Sequence, residues 1–280
     1  MKSECIMPKV ILFDVDGTLV KAGGSGRRAL NRALEKLYGK REICSQDFLA
    51  GSTDKDNFKR SFIEAAGKTP TAKDIKLIEK TYLELLPSEV DAAVREKRYL
   101  TIKGVENFLS RLSRRKDIFL GLGTGNIEEG ARLKLAPSGL WDYFRFGGFG
   151  CDGYERVAVL ETAVKRAGKI CGGTIKPSQV YIVGDTEKDV YAGKQAGYHT
   201  AAVTAGYGSP GGVMRSAPEL LSEDFSDVEM WLMWLGLNKN NGPVERGCFM
   251  FPNSAIEHVQ HGRTGDDAPQ TEKICPPRKR

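Results

Sequence analysis

No stretch of this sequence has the ~20 consecutive apolar residues that a membrane-spanning helix needs, which excludes a helical span. The opening "MKSECIMPKV" also lacks the apolar core, roughly 7–15 residues, of a secretory signal, so a cytoplasmic protein is expected. Six cysteines (Cys5, Cys44, Cys151, Cys171, Cys248 and Cys275) form no CxxC pair. That spacing argues for reduced thiols rather than a disulfide or zinc framework. There are only three histidines. His258 and His261 stand at i, i+3 without other ligand-type residues in register, and no metal site is expected there. No long basic block is present either: "RLSRRK" and the terminal "RKR" read as solvated surface, so no nucleic-acid partner is expected.

What is present is ordinary for a soluble globular protein: 40% hydrophobic and 28% charged residues, and a mild net charge of +6 that is compatible with a small anionic substrate. Short apolar runs end in small or acidic residues at "KVILFD", "IFLGLG" (118–123), "YFRFGGFG" (143–150), "VYIVGD" (180–185) and "HTAAV" (199–203). Amphipathic helical patterns alternate with them, including "GVENFLSRLSRR", "NIEEGARLKLA", "ERVAVLETAVKRAG" and "KDVYAGKQAG". This alternation predicts an α/β fold with a Rossmann-like parallel sheet covered on both faces.

Between the first two runs, residues 21–98 carry helical periodicity with no strong strand signal. The helices are "GRRALNRALEKLYG", "DNFKRSFIEAAG" and "AKDIKLIEKTYLELL", with Gly39 and Gly67 as stops and Asp54 and Thr71 as N-caps. The expected organisation is a core (1–20), an inserted small α-helical cap (21–98), the rest of the core (99–237) and a disordered tail (238–280). "SDVEMWLMWLGL" is the last helix of the core, with Trp231 and Trp234 packed inward. The insertion begins directly after two acids, which is a lid geometry.

Those acids are Asp14 and Asp16, in "ILFDVDGTLV". Residues i and i+2 of an extended segment share a face, where like charges repel unless something neutralises them. Asp185 ends another strand, and Asp189 opens the next helix, where it could equally be a cap. Open α/β sheets form sites at the carboxyl ends of their strands. Four carboxylates at one place need a hard cation, and an all-oxygen set favours Mg²⁺ over Zn²⁺. The second strand ends in "GTGN", where small residues next to a helix start can admit an anion.

In order, "DVDGT" (14–18), Thr124 in "GTGN" and "GDTEKD" (184–189) resemble the haloacid dehalogenase superfamily, in particular its phosphoglycolate phosphatase-like branch. The resemblance covers roughly residues 9–206. It implies Asp14 as nucleophile and Asp16 as general acid and base. It implies that Thr124, Gly125 and Asn126 hold phosphoryl oxygens. A Mg²⁺ site would form from Asp14, Asp16 through its carbonyl, Asp185 and Asp189. The family's usual third-motif lysine is missing, and Arg156 in "GYERVAVL" takes its place, Lys165 being over two helical turns further on. In the cap, Ser52, Thr53 and Asp54 of "AGSTDKD", together with Arg27, are the candidate substrate contacts.

The implied activity is Mg²⁺-dependent hydrolysis of small phosphate monoesters through an aspartyl-phosphate, with phosphoglycolate as a candidate. The alternatives are a phosphotransferase or phosphomutase of the same superfamily, or a non-catalytic binding protein on the same fold. The insertion carries no histidine, which disfavours the sugar-phosphomutase branch. The expected partner is a small phosphorylated metabolite.

Overall fold

The computed structural model describes residues 8–49 and 51–237. The expected tail, Cys5, Cys248, Cys275, His258, His261 and Ala50 lie outside the described residues. Cys44, Cys151 and Cys171 are free thiols.

The chain begins with β1 (Lys9–Phe13) and β2 (Val20–Ala22) and continues through α1 (Ser25–Tyr38), α2 (Gln46–Leu49), α3 (Asp54–Ala66) and α4 (Ala72–Arg95). Next come β3 (Tyr99–Thr101), α5 (Val105–Ser113), β4 (Ile118–Gly123), α6 (Glu128–Leu135) and β5 (Gly147–Gly148). The remainder is α7 (Arg156–Cys171), β6 (Val180–Gly184), α8 (Glu187–Gln195), β7 (His199–Val203), α9 (Pro210–Arg215), β8 (Leu220–Ser222) and α10 (Val228–Trp234).

Six strands form one parallel sheet in the order β5-β4-β1-β6-β7-β8. β1 is central, and the chain runs outward from it in both directions, so the switch point of the sheet falls at its carboxyl end. β1 is apolar throughout but its faces divide. Ile11 and Phe13 join a core with Phe108, Phe225 and Trp231 on one side. Val10 and Leu12 pack with Leu160, Ala163 and Ile182 on the other. Both faces are buried, as a parallel sheet requires. Trp234 packs against the first of these cores.

Several elements differ from the sequence reading. Of the expected strand 143–150, only Gly147–Gly148 pairs; Leu140–Tyr143 is a 3-10 turn. β8 and the antiparallel pair β2–β3 carry no readable period, because each strand has three residues. α4 does not stop at Pro87 but runs on to Arg95, with its buried face continuing through Val90 and Ala93. Packing outweighs the hydrogen bond that the proline removes. Gly39 and Gly67 close α1 and α3 in the left-handed conformation, at φ 67° and 66°. Thr71 caps α4, but the cap of α3 is Thr53, whose side chain accepts from Asp56 N. Asp54 is not the cap, and its carboxylate is used elsewhere.

α1, α3 and α4 enclose a separate apolar cluster that includes Leu30, Leu34, Phe58, Phe62, Ile78, Tyr82 and Leu86. Ile127, from the loop after β4, joins it. β2 and β3 lie where the chain leaves and re-enters the sheet.

Candidate active site

Strand register builds the site. Phe13 pairs with Leu122 on one side and Val183 on the other. Asp14, the next residue, is therefore level with the ends of β4 and β6, beside Thr124 and Asp185. Its backbone N donates to Val183 O at 2.9 Å. The turn that follows needs Gly17, at φ 85°, because a Cβ there would run into the Asp185 carboxylate.

Asp14, Asp185 and Asp189 each offer a carboxylate oxygen, and these oxygens lie within 4.8 Å of one another. Asp185 is fixed from behind by the loop after β7: Tyr207 N and Gly208 N donate to its Oδ2 at 2.7 and 3.3 Å. Asp189 does two things. Its Oδ2 closes a capping box with Thr186, whose hydroxyl donates to it at 2.8 Å, and its Oδ1 pairs with Arg156. Arg156, the first residue of α7, also sets Nη2 3.0 Å from Asp14 Oδ1. Lys165 lies within α7, nine residues after Arg156.

Asp16 does not join the three. Its Oδ2 accepts from Lys134 Nζ at 2.5 Å and from Asn126 Nδ2 at 2.9 Å. Lys134 also donates to Asn126 Oδ1 at 2.5 Å, and Asn126 Nδ2 reaches Thr124 Oγ1 at 2.9 Å. The Asn126 side chain is thus engaged with protein groups. Expecting all four carboxylates at one place fails for the side chain of Asp16, because each member of the i, i+2 pair has taken its own cation. Lys134 was missed in the sequence. In "EEGARLKL" it looks like any solvated helix lysine, yet it is 6% exposed.

Burial dominates the electrostatics. It pushes Asp14 up to about 6, against the charge of Arg156, with Asp189 adding to the rise. Asp185 is pushed well above the usual carboxylate range by burial and by Asp14 and Asp189. For Lys134, burial opposes the charged form but the charge of Asp16 overrides it, so the ammonium is retained. Arg156 is likewise buried, and Asp14 and Asp189 hold its charge in place.

These residues fit a hard divalent cation. Asp14 Oδ1 is buried and makes no well-aligned hydrogen bond among the described residues. Three carboxylates against one guanidinium leave two negative charges, and every donor is oxygen. Asp14, Asp185 and Asp189 could hold the ion with their side chains.

Residues from the helices between β2 and β3 line the same space as the acids. Asp54 N donates to Gly125 O at 2.7 Å, and Asp54 Oδ2 accepts from Ile127 N at 2.9 Å. Burial pushes this carboxyl up to about 6, against the charge of Lys134. Thr53 Oγ1 donates to Tyr154 O at 3.3 Å, and Lys188 Nζ donates to Ser52 Oγ at 3.3 Å. Residues 52–54 therefore dock on the sheet end of the molecule. A cavity of ≈ 110 Å³ remains, lined by Asp14, Asp16, Ser25, Arg27, Ser52 and Arg156 among others.

Residues 11–203 match the family model of the haloacid dehalogenase-like hydrolases. Phosphoglycolate phosphatase of Aquifex aeolicus is 28% identical over 209 residues, covering 71% of this chain and 86% of that protein. The Synechococcus elongatus enzyme of the same name is 25% identical over 222 residues, covering 79% and 95%. Among solved structures, CbbY from Rhodobacter sphaeroides, in complex with phosphate, superposes with a TM-score of 0.62 at 19% identity, covering 79% of this chain and 96% of its own. A Haemophilus somnus protein described as a predicted phosphoglycolate phosphatase gives 0.60 at 20% identity, covering 82% and 99%.

Proposed function

The chain belongs to the haloacid dehalogenase-like hydrolases, and from that premise we propose that it is a Mg²⁺-dependent phosphatase of small phosphate monoesters, with phosphoglycolate the first substrate to test. The observation that carries this reading is the division of labour between two acids two residues apart. Asp14 faces Asp185, Asp189 and Arg156, while Asp16 faces Lys134 and Asn126.

In this reading a carboxylate oxygen of Asp14 attacks phosphorus, and the bond to the ester oxygen breaks. The leaving alkoxide takes the proton of Asp16. Water then attacks the aspartyl-phosphate, Asp16 removes its proton, and inorganic phosphate leaves with Asp14 restored. Arg156 offsets the repulsion between Asp14 and the incoming anion, and its planar fork serves Asp189 as well. The Thr124 hydroxyl and the backbone of Gly125 hold phosphoryl oxygens. Asn126 and Lys134 hold Asp16 rather than the phosphate. Bound Mg²⁺, held by Asp14, Asp185, Asp189 and the Asp16 carbonyl, supplies the positive charge that lets two anions react.

α1 to α4 act as a cap, and residues 52–54 exclude water by docking on the loop after β4. The relatives named phosphoglycolate phosphatase support the substrate choice. The test is a panel of phosphate esters with Mg²⁺ that includes phosphoglycolate and p-nitrophenyl phosphate. Release of phosphate by the wild type, with none by Asp14→Asn, is expected. A panel that yields nothing refutes the proposal.

A further inference from the structure

The cavity has a second wall that the reaction above does not use. It is the amino end of α1, where Ser25 and Arg27 line the same space as Asp14 and Asp16. α1 runs for 14 residues, so its first turn presents unsatisfied N–H groups and the positive end of the helix dipole. Gly24 precedes it with no side-chain cap, and the first turn holds no acidic residue.

The composition of that turn is the reverse of the usual one. Helix starts favour acids, yet here the sequence is Ser-Gly-Arg-Arg. Arg28 is accounted for: its Nε lies 2.7 Å from Glu89 Oε2, and its Nη1 donates to Gly23 O at 2.7 Å. Among the described residues, Arg27 has one ion-pair partner, Glu42, at 3.9 Å and largely exposed.

Ser25 is the second and independent observation. It is fully buried, it lines the cavity, and its hydroxyl has no hydrogen-bond partner among the described residues. A buried hydroxyl left unpaired is unfavourable, so its position against the cavity calls for an acceptor from outside the chain.

Resting on the phosphatase reading, we infer that the amino end of α1, with Ser25 Oγ and Arg27, is a subsite for a second anionic group on the substrate's alcohol portion, a carboxylate a short chain away from the phosphate. The backbone N–H groups and the Ser25 hydroxyl donate to it, and Arg27 supplies the countercharge. The choice of a carboxylate follows from the proposed substrate, which the relatives named phosphoglycolate phosphatase support.

The experiment compares phosphoglycolate with ethyl phosphate, its near-isostere without the second charge. Binding of each is measured by calorimetry with Mg²⁺ in the turnover-silent Asp14→Asn protein, and hydrolysis of each in the wild type. Phosphoglycolate is expected to be preferred in both measurements. Ser25→Ala is expected to shrink that preference roughly tenfold, the size of a hydrogen bond to a charged group. Arg27→Met is expected to shrink it in the same direction. Equal handling of the two esters, or equal losses for both in the variants, overturns the subsite. Tighter binding of a bisphosphate than of phosphoglycolate overturns the carboxylate assignment. Preferential binding of phosphoglycolate without any hydrolysis retains the subsite and defeats the phosphatase reading alone.

Discussion

Arg156 Nη2 lies 3.0 Å from Asp14 Oδ1 and pairs at the same time with Asp189 Oδ1, so one buried guanidinium is shared by two of three converging carboxylates. Its removal leaves like charges facing one another in a desolvated place. Breaking a buried ion pair by deleting one partner costs about 3–5 kcal/mol. Arg156→Ala is expected to lose stability of that order in denaturant unfolding without Mg²⁺ and to regain part of it with Mg²⁺. Arg156→Lys keeps the charge and is expected to keep measurable activity.

Stability should respond to pH and Mg²⁺ together. Asp14, pushed up to about 6 by burial, and Asp185, raised well above the usual carboxylate range by burial, hold protons in the folded state that the unfolded chain has already released. Folding stability of the metal-free protein therefore falls as pH rises from about 4 through 6. Metal binding needs the ionised carboxylates, so the rise in Tm on adding Mg²⁺ should be larger at pH 7.5 than at pH 5. Melting curves with EDTA and with Mg²⁺ at both pH values test this. An equal shift at both contradicts the assignment of these acids as ligands.

The pairing of Lys134 with Asp16 predicts dependence on the leaving group. If Lys134 and Asn126 orient Asp16 for proton transfer, Lys134→Met should slow hydrolysis of an alkyl phosphate by about a hundredfold, a typical general-acid contribution. It should slow acetyl phosphate far less, because that leaving group needs no proton. Equal slowing of both substrates would indicate a merely structural lysine.

Asp54 offers a test of the docked loop. Its Oδ2 is the acceptor for Ile127 N, in a buried setting that pushes the carboxyl up to about 6. Asp54→Ala leaves that N–H unpaired, with an expected cost of about 1–3 kcal/mol and a lower kcat. Asp54→Asn keeps an acceptor without the charge and should match the wild type in stability below about pH 4, then exceed it by a margin that grows as pH rises through 6. Urea unfolding of both variants at pH 5 and 7.5 decides.

How much could be read in advance follows from where each signal resides. β1, β4, β6 and β7 are apolar runs long enough to declare themselves, and the acids at their ends come with fixed spacing. Lys134 is different. Its partner Asp16 lies 118 positions away, and nothing in "EEGARLKL" says which side of α6 faces the acid. Asp54 looks like a cap because it opens a helix, but Thr53 next to it takes that place and frees the carboxylate for Ile127. The aromatic-rich 143–150 suggests a strand, yet Phe144 and Phe149 are there to fill the core around a two-residue pairing. Ser25 gave no signal at all, since an unpaired hydroxyl exists only once the fold surrounds it.

The central claim is that Asp14 carries the phosphoryl group. Turnover of phosphoglycolate with Mg²⁺, quenched in acid within the first cycles and mapped by mass spectrometry, measures this directly. The account predicts phosphate on the peptide containing Asp14, decaying as free phosphate appears and missing in Asp14→Asn. Steady turnover with no phosphorylated Asp14 peptide, or with Asp14→Asn still active, would contradict it.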